Sequence, residues 1–301
     1  MGPGGFADPY IRLEGPVTIG SETEPLPQIA PQGSQAWDQQ SVAQDHAHLV
    51  AHLESVAETS SIQIASQHAI QLMELRPGNR ALDAGCGTGA FFPTLATALG
   101  PTGEIIGVDH APEFFDAARA SYASSGSTSR LTLIDADINH LPFDDRSFDG
   151  AHCERVLMHL AEPQRAIKEM KRVVRANGWV VAVEPDLAGW RVDHEDPDAV
   201  QKITAGFLAS IRNPAIGLEL NRRMAEAGLV NRQVRFVTEV ETTIEPELVA
   251  YYEQAAESAV RQELISEARA KSTLDALIAQ AARGQFTCYS TLFICAGQVA
   301  A

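Results

Sequence analysis

Basic residues are scarce in this 301-residue chain. Lys and Arg number 23 against 39 Asp and Glu, a formal charge of −16 at neutral pH, and no Lys/Arg cluster offsets it. Such a chain repels phosphate backbones and anionic bilayers, so neither nucleic acid nor a membrane surface is an expected partner. Cysteine is also sparse. Cys86, Cys153, Cys288 and Cys295 form no CxxC pair and have no zinc-site spacing. Cys153 and Cys288 fall in strand-like segments, where the side chain acts as a small apolar group. This usage fits a reduced, cytoplasmic setting. No apolar run approaches the ~18 residues that cross a bilayer. The opening MGPGGFADPY lacks the basic-then-apolar order of a secretory signal, so none is expected. Apolar residues still make up 45% of the chain, enough for a sizeable core.

Residues 1–35 are rich in Pro and Gly and poor in periodic apolar positions. They predict a mobile arm, or one that orders over a substrate or a neighbouring subunit through Tyr10, Ile11 and Leu13. Val42, His46, Leu49, Leu53 and Val56 then mark one helix face, and a second helix runs up to the RPGN turn at 76–79. From there strand and helix signals alternate. Strands are predicted at about 80–84, 104–108, 131–135, 148–153 and 178–184, with helices at 90–99, 112–123 and 162–175. This order implies a parallel sheet covered on both faces, with ligands at the carboxyl ends of the strands. Further helices are predicted at 197–211 and 216–227, a strand at 232–241, a long helical region at 246–282, and a last strand in FTCYSTLFICAG. No Gly/Ser linker interrupts 36–301, which is expected to be one domain. Its parts are cap helices (36–75), a ligand-binding core (76–185), and helices with the last two strands on the acceptor side (186–301).

The segment RALDAGCGTGAFF, from Arg80 to Phe92, carries the clearest chemistry. A strand runs into three glycines and then a helix. Glycine permits positive φ and close approach of a ligand, and the helix start offers unpaired N–H groups. A dinucleotide, a phosphate or S-adenosylmethionine (SAM) would each suit this loop. Asp83 precedes the glycines. Asp109 closes IIGVD 22 residues after Gly87, where a carboxylate can accept both ribose hydroxyls. No Lys or Arg stands in the loop to meet a diphosphate, whereas carboxylates suit the sulfonium and ammonium of SAM.

Four ordered motifs, LDAGCGTG, GVD, DADINHLPFDDRSFD and RVVRANGWVVAVEP, give a family resemblance. The chain resembles the class I SAM-dependent methyltransferases, in the small-molecule branch that includes the ubiquinone/menaquinone-biosynthesis enzymes. The resemblance spans about 40–301 and is strongest over 76–190. It implies a Rossmann-like α/β fold, a seven-stranded mostly parallel sheet with helices on both faces, and SAM as cofactor. It further implies that Asp83, Gly85, Cys86 and Gly87 meet the methionine part, Asp109 the ribose, and His110, Asp137 and Ile138 the adenine. Glu154 and Arg155 would then lie by the methionine amine. A turn-capping role for Asp137 and a filler role for Cys86 stand beside these.

Methyl transfer needs alignment of nucleophile and methyl group, with a base when the acceptor is a hydroxyl or an activated carbon. His159, Glu184 and His194 are the catalytic candidates, with Asp186 as a further pocket acid; packing, capping or turn formation is the alternative for each. No metal site is expected. DHED at 193–196 reads as a solvated turn, and His48 with His52 lacks a third ligand. Trp37, Trp190, Phe207, Met224, Tyr251 and Tyr252 are candidate linings of a covered, largely apolar pocket for a small lipophilic or aromatic acceptor. Methylation at oxygen, carbon or nitrogen is left open, as is an oligomer of this chain. Two alternatives compete. One is the same fold using bound SAM for non-methyl chemistry such as cyclisation. The other is an NAD-dependent oxidoreductase, disfavoured because no Tyr-x-x-x-Lys set is present.

Overall fold

The computed structural model describes residues 34–37, 39–244 and 246–301. Most of the N-terminal arm, with Tyr10, Ile11 and Leu13, lies outside the described residues. A short 3-10 turn, Ser34–Trp37, leads into α1 (Gln39–Ala57) and α2 (Ser60–Met73). The alternating core follows: β1 (Arg80–Ala84), α3 (Phe92–Leu99), β2 (Glu104–Asp109), α4 (Phe115–Ser124), β3 (Arg130–Asp135), β4 (Phe148–Glu154), α5 (Pro163–Val173) and β5 (Val174–Val192). The chain continues through α6 (Pro197–Leu208), α7 (Ile216–Glu226), β6 (Val230–Glu241), α8 (Pro246–Arg261), α9 (Glu267–Ala282) and β7 (Cys288–Gln298).

The strands form one seven-stranded sheet in the order β3-β2-β1-β4-β5-β7-β6. The first five pair in parallel, and β7 runs antiparallel to both β5 and β6. The strand order reverses between β1 and β4. A crevice therefore opens beyond their carboxyl ends, where open α/β sheets take ligands. Two apolar layers flank the sheet. Ile62, Leu72, Phe92, Leu95 and Leu99 of α2 and α3 cover one face; Ile167, Met170, Leu220 and Met224 of α5 and α7 cover the other. Parallel strands buried on both sides need continuous apolar runs, and VVAV at 180–183 supplies one.

Three local departures from the sequence pattern have physical causes. Asp45 breaks helical geometry inside α1 (φ −136°, ψ 29°); Val42 and Leu49 are buried while His46 is exposed. The single face predicted through His46 is thus cut by a kink. The predicted helical region 246–282 is two helices. Glu263 takes a left-handed φ of 58°, and the Ser266 side chain caps α9 by accepting from the Arg269 N–H. β5 outruns its predicted end because β7 pairs with it again past an irregularity between Asp186 and Arg191, as far as Val192 opposite Cys288.

Candidate active site

The glycine turn is built to bring backbone close to a ligand. Gly85 and Gly87 adopt φ of +77° and +47°, and a Cβ on Gly85 would overlap the Val156 side chain. The Gly85 and Cys86 N–H groups donate to Val108 O at 2.7 and 3.0 Å, tying the turn to β2. Gly87 N–H donates to Asp109 Oδ2 at 2.8 Å. Ala111 N–H donates to the other oxygen, Oδ1, at 3.0 Å. His110 has an acceptor at each ring nitrogen: Asp109 Oδ1 lies 3.3 Å from Nδ1 and Trp37 O lies 2.7 Å from Nε2. The hydrogen bond to Asp109 outweighs burial and raises the pKa of this histidine.

At the end of β1, Asp83 Oδ1 meets His152 Nδ1 of β4 at 2.8 Å, both residues buried. The imidazole stacks on Phe91, ring centroids 3.9 Å apart. Its Nε2 is buried without a hydrogen bond. Beyond β3, Asp137 caps the short turn Ile138–His140, accepting from Asn139 N–H at 2.8 Å. Burial alone would raise its carboxyl, but the bonds from Asn139 and His140 hold it below its ordinary value. The capping role is therefore real, and the residue also faces the crevice. Glu154 ends β4, and burial pushes its pKa up. Arg155 follows with a left-handed φ of 56°; its N–H donates to Val183 O at 2.9 Å, and burial pulls its pKa down.

These groups line a single cavity of about 560 Å³, within the range of small-molecule and cofactor sites. Asp83, Gly85, Cys86, Gly87, Asp109, His110, Asp137, Ile138, Glu154 and Arg155 all border it. Trp37 and Leu53 stand against the residues just named, Trp37 O at His110 Nε2 and Leu53 over Gly87, and Ser34, His159, Leu160 and Arg212 complete the wall. There His159 Nδ1 lies 3.3 Å from Ser34 Oγ, and its ring centroid is 5.4 Å from that of Trp37. Burial, then the charges of Arg155 and Arg212, press its pKa down to about 3. Burial, then Arg155 and His48, press His52 to about 4.

Two catalytic candidates fall elsewhere. Glu184 is fully buried and does not border the cavity. Its Oε1 accepts from Val156 and Leu157 N–H at 2.9 and 2.7 Å, and Oε2 from Met158 N–H at 3.4 Å. It anchors the turn after β4. Burial pushes its pKa up to about 8 against the pull of these donors. His194 lies off the cavity and accepts from Asp196 N–H at 2.9 Å through Nδ1. Asp196 is itself held by Arg269 at 2.7 Å. Asp186 accepts from Gly189 N–H within its own turn. Of the aromatic linings, Trp37 borders the cavity. Trp190, Phe207, Tyr251 and Tyr252 pack on one another among α6 and α8, with Trp190 to Tyr252 centroids 5.4 Å apart. Met224, on α7, is buried in the core between that helix and the sheet. None of these five borders the crevice.

The sequence reading missed His152, Phe91, Ser34 and Arg212. A histidine in the buried strand FDGAHCE was the one available signal, because a fully buried position there normally takes an apolar side chain. Arg212 sits in the loop before α7, in no motif.

The comparisons with known proteins agree with this geometry. Residues 82–182 match the family model described as a methyltransferase domain. An uncharacterized 37.1 kDa protein of transposon Tn4556 from Streptomyces fradiae is 34% identical over 195 residues, 64% of this chain. The chain spans 55% of the length of that relative. A demethylmenaquinone methyltransferase of Staphylococcus aureus is 32% identical over 188 residues, 55% of this chain and 74% of that protein. In fold, the chain is similar to a Bacillus halodurans structure described as a methyltransferase (TM-score 0.55, 14% identity, 78% of this chain and 99% of that one). It is also similar to the YcgJ protein of Bacillus subtilis (TM-score 0.51, 20% identity, 79% and 100%). A Rossmann-like sheet, a glycine turn and a ribose-type acid at the end of β2 define a nucleoside-binding α/β protein. Within that class, the chain belongs to the class I SAM-dependent methyltransferases, whose cofactor is SAM. The donor set fits that cofactor: the cavity wall carries the carboxylates of Asp83, Asp109, Asp137 and Glu154 and a backbone cradle with no room for a Cβ at Gly85. No helix among the described residues is long and apolar enough to cross a membrane.

Proposed function

We propose that this protein moves a methyl group from SAM to an oxygen or carbon atom of a small lipophilic or aromatic acceptor. The observation that carries this is the continuity of the cavity, whose one wall includes the glycine turn, the apolar cover of Trp37 and Leu53, and His159 with Leu160. The Staphylococcus aureus relative, named for a quinone-type substrate, supports an acceptor of that kind. SAM supplies an electrophilic methyl group on a sulfonium. The chain's own residues then divide the work. Asp83 and the Gly85–Gly87 backbone, with Cys86 between them as a neutral thiol, hold the methionine part. Asp109 accepts from the ribose hydroxyls, and His110 closes over that end. Asp137 and Ile138 meet the adenine, the carboxylate at its amino group and Ile138 along the ring. Glu154 and the Arg155 backbone lie by the methionine amine.

Among the three catalytic candidates, His159 is the one facing the cavity. It is neutral at physiological pH, and its Nε2 makes no hydrogen bond among the described residues. That nitrogen is available to accept a proton or hydrogen bond from an acceptor hydroxyl. Trp37 and Leu53 exclude water and align the ring, which supplies proximity rather than new bonds.

The test is incubation with SAM and a panel of quinols and phenols, reading S-adenosylhomocysteine formation. Turnover with an aromatic acceptor is expected. Tight SAM binding with no S-adenosylhomocysteine from any acceptor would instead favour non-methyl chemistry on bound SAM.

A further inference from the structure

Two cationic side chains stand near His159 in the cavity wall of a strongly acidic chain, close enough for their charges to act on its ring. Arg155 and Arg212 both border the cavity, and neither forms an ion pair among the described residues. The side chain of Arg155 makes no hydrogen bond there either; Glu154 and Glu184 act on it only through space. Glu184 is already engaged by three backbone N–H groups. Arg212 donates Nη1 to His159 O at 2.9 Å, and its backbone N–H donates to Ser34 Oγ at 2.9 Å, which fixes the arginine beside His159. Most of both guanidinium forks is left over. A guanidinium taken partly out of water without an anion is costly, and one facing a carboxylate or phenolate gains charge-assisted hydrogen bonds.

We propose that the acceptor is an organic anion, with an ionised oxygen held between Arg155 and Arg212 while its apolar body lies against Trp37. This rests on the methyltransferase function proposed above and narrows its substrate class. It also supplies a role for His159. Burial is the larger cause of its lowered pKa, and the two arginine charges that add to it are offset when an anion sits between them, so the imidazole regains part of its basicity once the acceptor has arrived.

The probe pair is 1-naphthoate and its neutral isostere 1-naphthamide, titrated into protein saturated with S-adenosylhomocysteine, with 4-nitrophenol as a coloured phenolate probe. Naphthoate or 4-nitrophenolate is expected to bind roughly ten- to a hundred-fold more tightly than naphthamide, the scale of a charge-assisted hydrogen bond. Capture of naphthoate alone assigns a carboxylic acid, and capture of the phenolate alone assigns a phenol. Arg212→Gln, outside the cofactor set, should erase the preference and leave S-adenosylhomocysteine affinity unchanged; Arg155→Gln should erase the preference as well. Arg155→Lys, which keeps the charge, should retain part of it and shows that the fold survives substitution there. Equal binding of anion and amide overturns the inference and leaves methyl transfer standing. A loss of S-adenosylhomocysteine affinity in both Gln variants also overturns it, because the cofactor's own carboxylate is then the anion. Failure of the wild-type protein to bind S-adenosylhomocysteine overturns the function on which the inference rests.

Discussion

Asp109 Oδ2 accepts the backbone N–H of Gly87 at 2.8 Å, so one carboxylate joins the end of β2 to the glycine turn after β1. The same group is the proposed ribose acceptor. Asp109→Ala is expected to weaken SAM binding by roughly 1–3 kcal/mol through lost charge-assisted bonds. Asp109→Asn keeps an acceptor for Gly87 and should fall between the two. Isothermal titration of S-adenosylhomocysteine decides it; unchanged affinity in the Ala variant removes the ribose assignment.

Asp83 and His152 form a second buried link, 2.8 Å across β1 and β4, with Phe91 stacked on the imidazole. Removing one partner of a buried pair leaves a polar group without compensation. His152→Ala is expected to cost about 3 kcal/mol of stability and to lower the urea midpoint accordingly. A midpoint equal to wild type would mean that Asp83 is held by something else.

Glu184 sits where the sequence suggested chemistry and does structural work instead. Glu184→Ala strands the N–H groups of Val156, Leu157 and Met158 and should cost about 2–4 kcal/mol. Glu184→Gln keeps an oxygen for Val156 and Leu157 and should be far milder. The folded pKa of about 8 exceeds the ordinary 4.5, so the folded chain retains a proton that the unfolded chain releases. That contribution is full below about pH 4.5 and is lost as pH rises to about 8. Thermal scans should therefore show the Gln variant gaining on wild type from pH 5 to pH 8; parallel curves would contradict this.

His159 and His52 have the opposite sign. Their pKa values fall from 6.5 to about 3 and about 4, so the folded chain keeps them neutral while the unfolded chain takes up protons. Their contribution is full above pH 6.5 and is lost as pH falls through the folded values. Replacing either by Asn should flatten the loss of thermal stability between pH 6.5 and pH 4. A variant with the wild-type acid slope would show that the histidine titrates normally.

That the glycine turn, Asp109 and Asp137 border one cavity was legible because their spacing is local. A strand, a glycine turn and an acid at the next strand's end lie within thirty residues, and their spacing fixes their geometry. The rest of the wall is assembled from distant loops. Arg212 reaches the cavity from between α6 and α7 and carries no pattern. The aromatic residues at 190, 207, 251 and 252 announced burial without saying against what; an amphipathic face specifies that it is covered, not its partner. Glu184 misled for a related reason. An acid at a strand's end reads as solvent-facing, and only the pairing of β4 with β5, Glu154 opposite Val183, places it under the turn that it anchors.

The most direct test of the central claim is native mass spectrometry of the purified protein titrated with SAM and, separately, with NAD. One SAM or S-adenosylhomocysteine per chain, weakened in Asp109→Ala, is the expected result and places the cofactor against the glycine turn. An NAD adduct instead, or no adduct with either, would contradict the account.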